Sequence, residues 1–220
     1  MKGNHSSRSS NFSASSKFFL VTRLVTRLTV NNIKLDQVHV SQILSVWVSQ
    51  DLSWDKNTTE MCKRAYSRVS MLTKLKYVGV PIEDLIEIFV LFIRSTLEYC
   101  AVAFHSSLTV DQATDIERVQ KTCLKIILGE SYVSYTAALE MCNLQTLHDR
   151  REKRCLDFAV KCLKHPVNKG LFPLNRNLDK DGNKVRSREV FQENFARTET
   201  YRKSAIPFCQ RKLNDHLKVK

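Results

Sequence analysis

Several groups of residues in this 220-residue chain have types and spacings that could do chemistry. Cys155, Cys162 and His165 offer two thiols and an imidazole at i, i+7 and i+10. On a helix, Cys155 and Cys162 would stand about 10 Å apart along the axis at 1.5 Å per residue. Zinc holds each thiolate at about 2.3 Å, so one helix cannot bring both to one ion. These thiols read as core residues, and no metal site is assigned. Cys142, His148 and Asp149 contain the types of a cysteine–histidine nucleophile, but no glycine-rich elbow accompanies them. They read as a core thiol beside a surface imidazole. Glu83 and Glu87 share a helix face one turn apart, which solvation or a basic partner explains better than acid–base work. The five glycines are scattered, so no loop cradles a phosphate and no cofactor is expected.

The basic residues make a stronger case. Lys and Arg total 35 against 22 Asp and Glu, a formal net charge of +13. The excess is +3 up to Cys142 and +10 from Asn143 onward. A field of that sign points to a polyanion, most simply nucleic acid met through its phosphates. The candidate contacts are Lys63, Arg64, Arg68, Lys74 and Lys76 on one segment, and Arg150, Arg151, Lys153 and Arg154 on another. The competing explanation is a solvated face, because helices carry charge opposite their core. Tyr66, Tyr99 and Tyr132 have rings that could stack on bases, with core packing as their alternative role.

The elements that must position these residues are mostly helical. Four prolines and five glycines are too few turn-makers for an all-β sandwich or barrel. From residue 55 onward apolar residues recur at helical spacing. Asn57 with Glu60, and Thr109 with Gln112, have capping-box spacing. The first helix carries Met61, Ala65, Val69, Leu72 and Leu75 and ends at Gly79. Pro81 opens a second, to about 103, whose run Ile88–Ile93 is apolar nearly all round and predicts a buried central helix. A third runs from Thr109 to Gly129, a short fourth follows Ser134, and a fifth spans about 145–165. Residues 166–188 read as a loop, and a last amphipathic piece lies near 204–217.

Ahead of the helices, residues 1–16 are serine- and asparagine-rich and read as a disordered leader. Residues 18–50 contain β-branched and aromatic runs around Asn31-Asn32, which predict a short hairpin. The seven cysteines are odd in number and lack a CxxC pair, so free thiols in an intracellular protein are expected. No apolar run approaches a membrane span, and the sequons at Asn4, Asn11 and Asn57 read as idle matches. The predicted fold is mainly α, with five or six helices in a bundle behind an N-terminal hairpin. Its divisions are a leader (1–16), a strand region (17–54), a helical domain (55–165) and a basic C-terminal portion (166–220).

Collinear words carry a family resemblance. SVWVSQDLSWDKNT (45–58), YSRVSMLTKLKYVGV (66–80), FIRSTLEYCAVAFHSSL (92–108), IERVQKTCLKIILG (116–129), LFPLN (171–175) and NFARTETYRKSAIPFCQRKLN (194–214) are similar to the C-terminal part of reverse transcriptases of non-LTR, LINE-type, jockey- or CR1-like retrotransposons. Ser45 stands where the family strand carries glycine, and Phe104 where tryptophan is frequent. The resemblance implies the end of the palm, at 17–54, leading into a helical thumb that contacts primer–template. Nucleotide joining in that family needs two metals clamped by aspartates. This chain has no Asp-Asp dipeptide. The resemblance therefore implies a thumb-like fragment of an RNA-directed DNA polymerase that is catalytically silent by itself. A helical protein-interaction module and a remnant without separate function are the alternatives. No small-molecule substrate and no membrane partner are expected.

Overall fold

The computed structural model describes residues 29–30, 33–34, 38–175 and 189–218. The expected leader, residues 17–28, 31–32 and 35–37 of the strand region and residues 176–188 of the expected loop lie outside these residues. By compactness the chain divides into residues 1–38 and 39–220. The first unit contributes an antiparallel pair, β1 (Thr29–Val30) with β2 (Ile33–Lys34), in register Thr29 to Lys34 and Val30 to Ile33.

The second unit is mainly helical, as the residue periodicity predicts, and begins with a hairpin. Strand β3 (Val40–Ile43) pairs with β4 (Val46–Ser49), with Ile43 opposite Val46. The two loop residues Leu44 and Ser45 have φ of 47° and 66°, the left-handed pair that twists a two-residue turn to match its strands. Ser45 thus occupies a backbone conformation that glycine adopts without strain.

Helix α1 (Asp55–Tyr77) follows, and its buried residues Met61, Ala65, Val69 and Leu72 form the expected stripe. The Asn57–Glu60 capping box does not form. The helix starts three residues earlier than that cap would place it, and Asn57 lies buried inside it, accepting from the Trp47 N–H at 3.2 Å. A cap residue is thereby spent on tying the hairpin to the helix. At the other end Gly79, at φ 89°, lets its own N–H reach the Lys76 carbonyl and that of Val80 reach Leu75.

The predicted second helix is broken. It runs as α2 (Ile82–Ile88), a π-helical turn (Phe89–Arg94) and α3 (Ser95–Glu98). Then Cys100, at φ 54°, turns the chain into α4 (Ala101–Phe104). Leu85, Phe89, Ile93 and Leu97 are all fully buried at a strict spacing of four. That spacing exceeds the 3.6 residues of an α-helical turn, and the wider π turn keeps the four on one face. The opposite side is not buried: Leu91 is 57% and Phe92 53% exposed, which corrects the all-round burial expected of this segment.

Helix α5 (Val110–Leu128) opens on the predicted capping box. The Gln112 N–H donates to Thr109 Oγ1 at 3.2 Å, and the Thr109 N–H to Gln112 Oε1 at 2.9 Å. Ser134 caps α6 (Tyr135–Met141) and Thr146 caps α7 (Leu147–Lys164). After a short α8 (Glu199–Arg202), α9 (Ala205–Lys218) closes the described chain. α1 through α6 share one apolar core. A second core joins Cys155, Ala159 and Cys162 of α7 to Cys209 and Leu213 of α9, with Phe172 and Phe191. The fifth helix therefore packs on the C-terminal portion across the boundary drawn at residue 165. All seven cysteines are free, and only Cys100 is exposed. Among the described residues, no helix is long and apolar enough to cross a membrane.

Candidate nucleic-acid interface

The basic side chains sort by what they touch. On α7 the buried positions Leu147, Arg151, Cys155, Ala159 and Cys162 recur three and four apart. This stripe faces the two cores and takes Arg151 inside, at 0% exposure. Arg150 and Arg154, each one position before a buried residue and one turn apart on the same side of α7, reach Glu98 at the end of α3. Arg150 donates to both carboxylate oxygens, the Nη2 contact at 3.2 Å, and Arg154 Nη2 donates at 2.8 Å. The Glu98 side chain is 2% exposed. Its bonds to Arg150 push that guanidinium's pKa up from the ordinary value. Arg94, one turn before Glu98, joins the same group, and burial followed by repulsion from Arg150 pushes its pKa down.

This lock floors a cleft of about 530 Å³ lined by Glu98, Arg150, Lys153, Arg154, Phe158 and Lys161, among others. Lys153 and Lys161 are exposed and make no ion pair among the described residues. Asp157 is the other acidic residue on the wall. Two arginines on one carboxylate, with two lysines beside them, leave a local cationic excess that the single Asp157 does not cancel. Such a surface meets phosphates without reading bases. Phe158 supplies an apolar wall between the cations.

The sequence-predicted residues of α1 do not join this cleft. Arg68 donates to the Phe92 carbonyl and to Thr96 Oγ1. Phe92 lies in the π turn, where the altered hydrogen-bond pattern favours an outside donor. Phe92 and Thr96 lie nearly opposite Arg94 and Glu98 around their helix, so Arg68 and Arg150 grip different sides of it. Lys63 lines a separate cleft with Asp55, Gln112, Asp115 and Arg118. Arg64 is exposed and donates to the Glu60 carbonyl at 3.3 Å. Lys74 and Lys76 sit in the last turn of α1, where cations offset the helix dipole. Arg151, wholly buried, is withdrawn from any phosphate, a correction to its place among the expected contacts. Of the α7 candidates, Lys153 and Arg154 remain on the open cleft with Arg150 beneath them.

Lys161, one of the basic residues that crowd the fifth helix in the sequence, lines the cleft, and so does Glu98, which the charge pattern did not single out. Glu98 carried a signal, being a lone carboxylate at the end of the most apolar helix, which must find cations if buried. The tyrosines are placed away from the cleft lining. Tyr99 donates to the Leu44 carbonyl at 3.1 Å, and Tyr132 holds Lys125 over its ring.

A second cleft, of about 650 Å³, lies between α5, α7 and the turn His105–Ser107 that follows α4. Glu117 accepts from the Tyr135 hydroxyl and, at 3.1 Å, from the Leu147 N–H on its wall. Gln120 donates at 2.8 Å to that hydroxyl and at 3.0 Å to the Gln145 carbonyl. His105 is buried, and that burial, followed by the charge of Arg151 and by His148, pushes its imidazole down to about 4. The Cys142–His148 pairing expected to be coincidental stays apart in role: Cys142 is buried in the first core, whereas His148 is exposed beside Asp149. Cys155 and Cys162 are buried in the second core, while His165 is exposed and accepts from the Val167 N–H.

Comparison of the chain with protein-family models, with curated proteins and with solved structures finds no match.

Proposed function

We propose that the chain is the thumb-like part of a LINE-type reverse transcriptase, which holds nucleic acid by its phosphates and joins no nucleotides by itself. The observation that carries the binding half is the cationic cleft over Glu98, where Lys153 and Lys161 flank the pair Arg150 and Arg154 that Glu98 fixes in place. The resemblance of residues 45–58, 66–80, 92–108 and 116–129 supports the family half. Each phosphate neutralised releases counterion, and about 4 to 5 contacts give log K against log salt a slope of roughly −4 on duplex DNA.

Fluorescence anisotropy with a labelled duplex, at several salt concentrations, tests this. Lys153→Gln with Lys161→Gln leaves the Glu98 lock intact and is expected to flatten the slope by about 2. A parent slope near zero refutes the nucleic-acid function. Exposed Leu91 and Phe92 would then favour the second reading, a helical module that docks a protein on the outer side of the π turn.

A further inference from the structure

We propose that His105, His148 and Glu152 form a binding site for a borderline divalent transition-metal ion, zinc foremost. One donor atom from each residue lies within 4.8 Å of the other two. His148 and Glu152 are one turn apart on α7 and share a face. His105 comes from the turn after α4 and meets them edge-on, its ring centre 5.2 Å from that of His148. All three line the same 650 Å³ cleft, so an ion held there keeps a coordination position open to it.

The donor chemistry selects the metal. Two imidazoles and one carboxylate are a ligand set of protein zinc sites that keep a fourth position for water. Magnesium and calcium prefer all-oxygen surroundings, and copper(I) prefers sulfur. Tetrahedral zinc places such donors roughly 3.3 Å apart, so the three must draw together by about an ångström or more at their widest. Both α7 residues are partly exposed and free to turn.

The neighbouring charges fit one arrangement. Asp149 Oδ1 lies 3.4 Å from His148 Nδ1, where it can take that ring's proton and leave Nε2 for the ion. Lys212 pairs with Glu152 Oε1, and Oε2 lies 3.9 Å from the same His148 Nδ1, so the exposed ring must rotate to present Nε2 to the ion. The carboxylate therefore has one oxygen for the lysine and one for the metal. Arg151 Nε stands 3.5 Å from His105 Nδ1, a contact at the outer limit of a hydrogen bond. It yields when Nδ1 carries the proton and Nε2 binds the ion.

Cobalt(II), added to the full chain after metal removal, serves as the visible stand-in for zinc. Tetrahedral or five-coordinate nitrogen–oxygen cobalt bands are expected, and zinc should displace them. His148→Ala and Glu152→Gln, both at the surface, should each weaken cobalt binding by about 100-fold. Asp149→Asn should weaken it by about 10-fold through the orientation of His148. The site is overturned if the parent takes up no cobalt, or if either ligand variant keeps the parent's affinity. It is equally overturned by an intense sulfur-to-metal charge-transfer band, which would place the ion on the cysteines.

Discussion

Arg150 donates to both oxygens of Glu98 from a position 52 residues further along the chain. That carboxylate also receives Arg154, so one buried charge at the end of α3 fixes the first turns of α7. Glu98 therefore has two jobs, holding the helices together and masking two arginines. Glu98→Gln separates them. Removing the charge leaves Arg150 and Arg154 without their anion and is expected to cost about 3 kcal/mol in a urea titration. The same change should tighten duplex binding and steepen the salt slope by about 1 to 2, because two guanidinium groups become available. Loss of stability with weaker binding would show that the cleft is not where the polyanion sits.

The Leu44-Ser45 turn gives a second prediction. Both residues have positive φ, and the serine sits where the family resemblance expects glycine. Ser45→Gly removes the Cβ clash of the left-handed conformation, at the cost of a freer unfolded chain. The net expected gain is about 0.5–1 kcal/mol by urea titration. Slower hydrogen exchange at the Ile43 and Val46 amides should accompany it. A loss of stability would contradict the turn described here.

Local signals were legible in the residues, and long-range ones were not. The Thr109–Gln112 box, the Ser134 cap and the Gly79 stop are decided within a few positions, and each forms as its spacing predicts. The Asn57–Glu60 box has the same local pattern but lost to a tertiary demand, the Trp47 amide of the adjoining hairpin. The π turn could be suspected only from the four-residue spacing of Leu85, Phe89, Ile93 and Leu97, which a run of apolar residues conceals. Charge type misled at Arg151. Its register, four residues from both Leu147 and Cys155, already placed it on the buried stripe of α7. The family resemblance carries no comparable geometric check, because it speaks of residue identity and the cleft depends on which arginines Glu98 captures.

The thiols predict an alkaline limit. Burial pushes Cys62 up to about 11, with Asp115 adding to it, and burial alone pushes Cys123 up to about 12, against an ordinary value of 9.0. The unfolded chain therefore loses these protons first. Their contribution to stability is complete below about pH 9 and is lost as pH rises toward about 11 to 12. The urea midpoint of the parent should fall between about pH 8 and about pH 10.5 more steeply than that of Cys62→Ala with Cys123→Ala. Parallel curves would refute it. In native alkylation, exposed Cys100 should react well before the other six.

Arg151 separates cationic charge offered to the surface from charge that is buried. It lies at 0% exposure with Nη1 and Nη2 lacking a hydrogen-bond partner among the described residues, and Nε approaches His105 Nδ1 at 3.5 Å. Burial accordingly pushes its pKa down, with Glu117 acting in the opposite direction. A buried cation held this poorly is a net cost, because desolvation exceeds what distant carboxylates return. Arg151→Met keeps the length and much of the volume of the side chain and discards the charge. Glu117 would still receive the Tyr135 hydroxyl and the Leu147 N–H. The expected result is a gain of about 1–2 kcal/mol in unfolding free energy, with no change in duplex affinity or salt slope. Arg151→Ala, which leaves a cavity, should instead lose about 2 kcal/mol. If Arg151→Met weakened duplex binding as much as Lys153→Gln with Lys161→Gln, Arg151 would have to reach the surface, and the burial of the α7 stripe would be wrong.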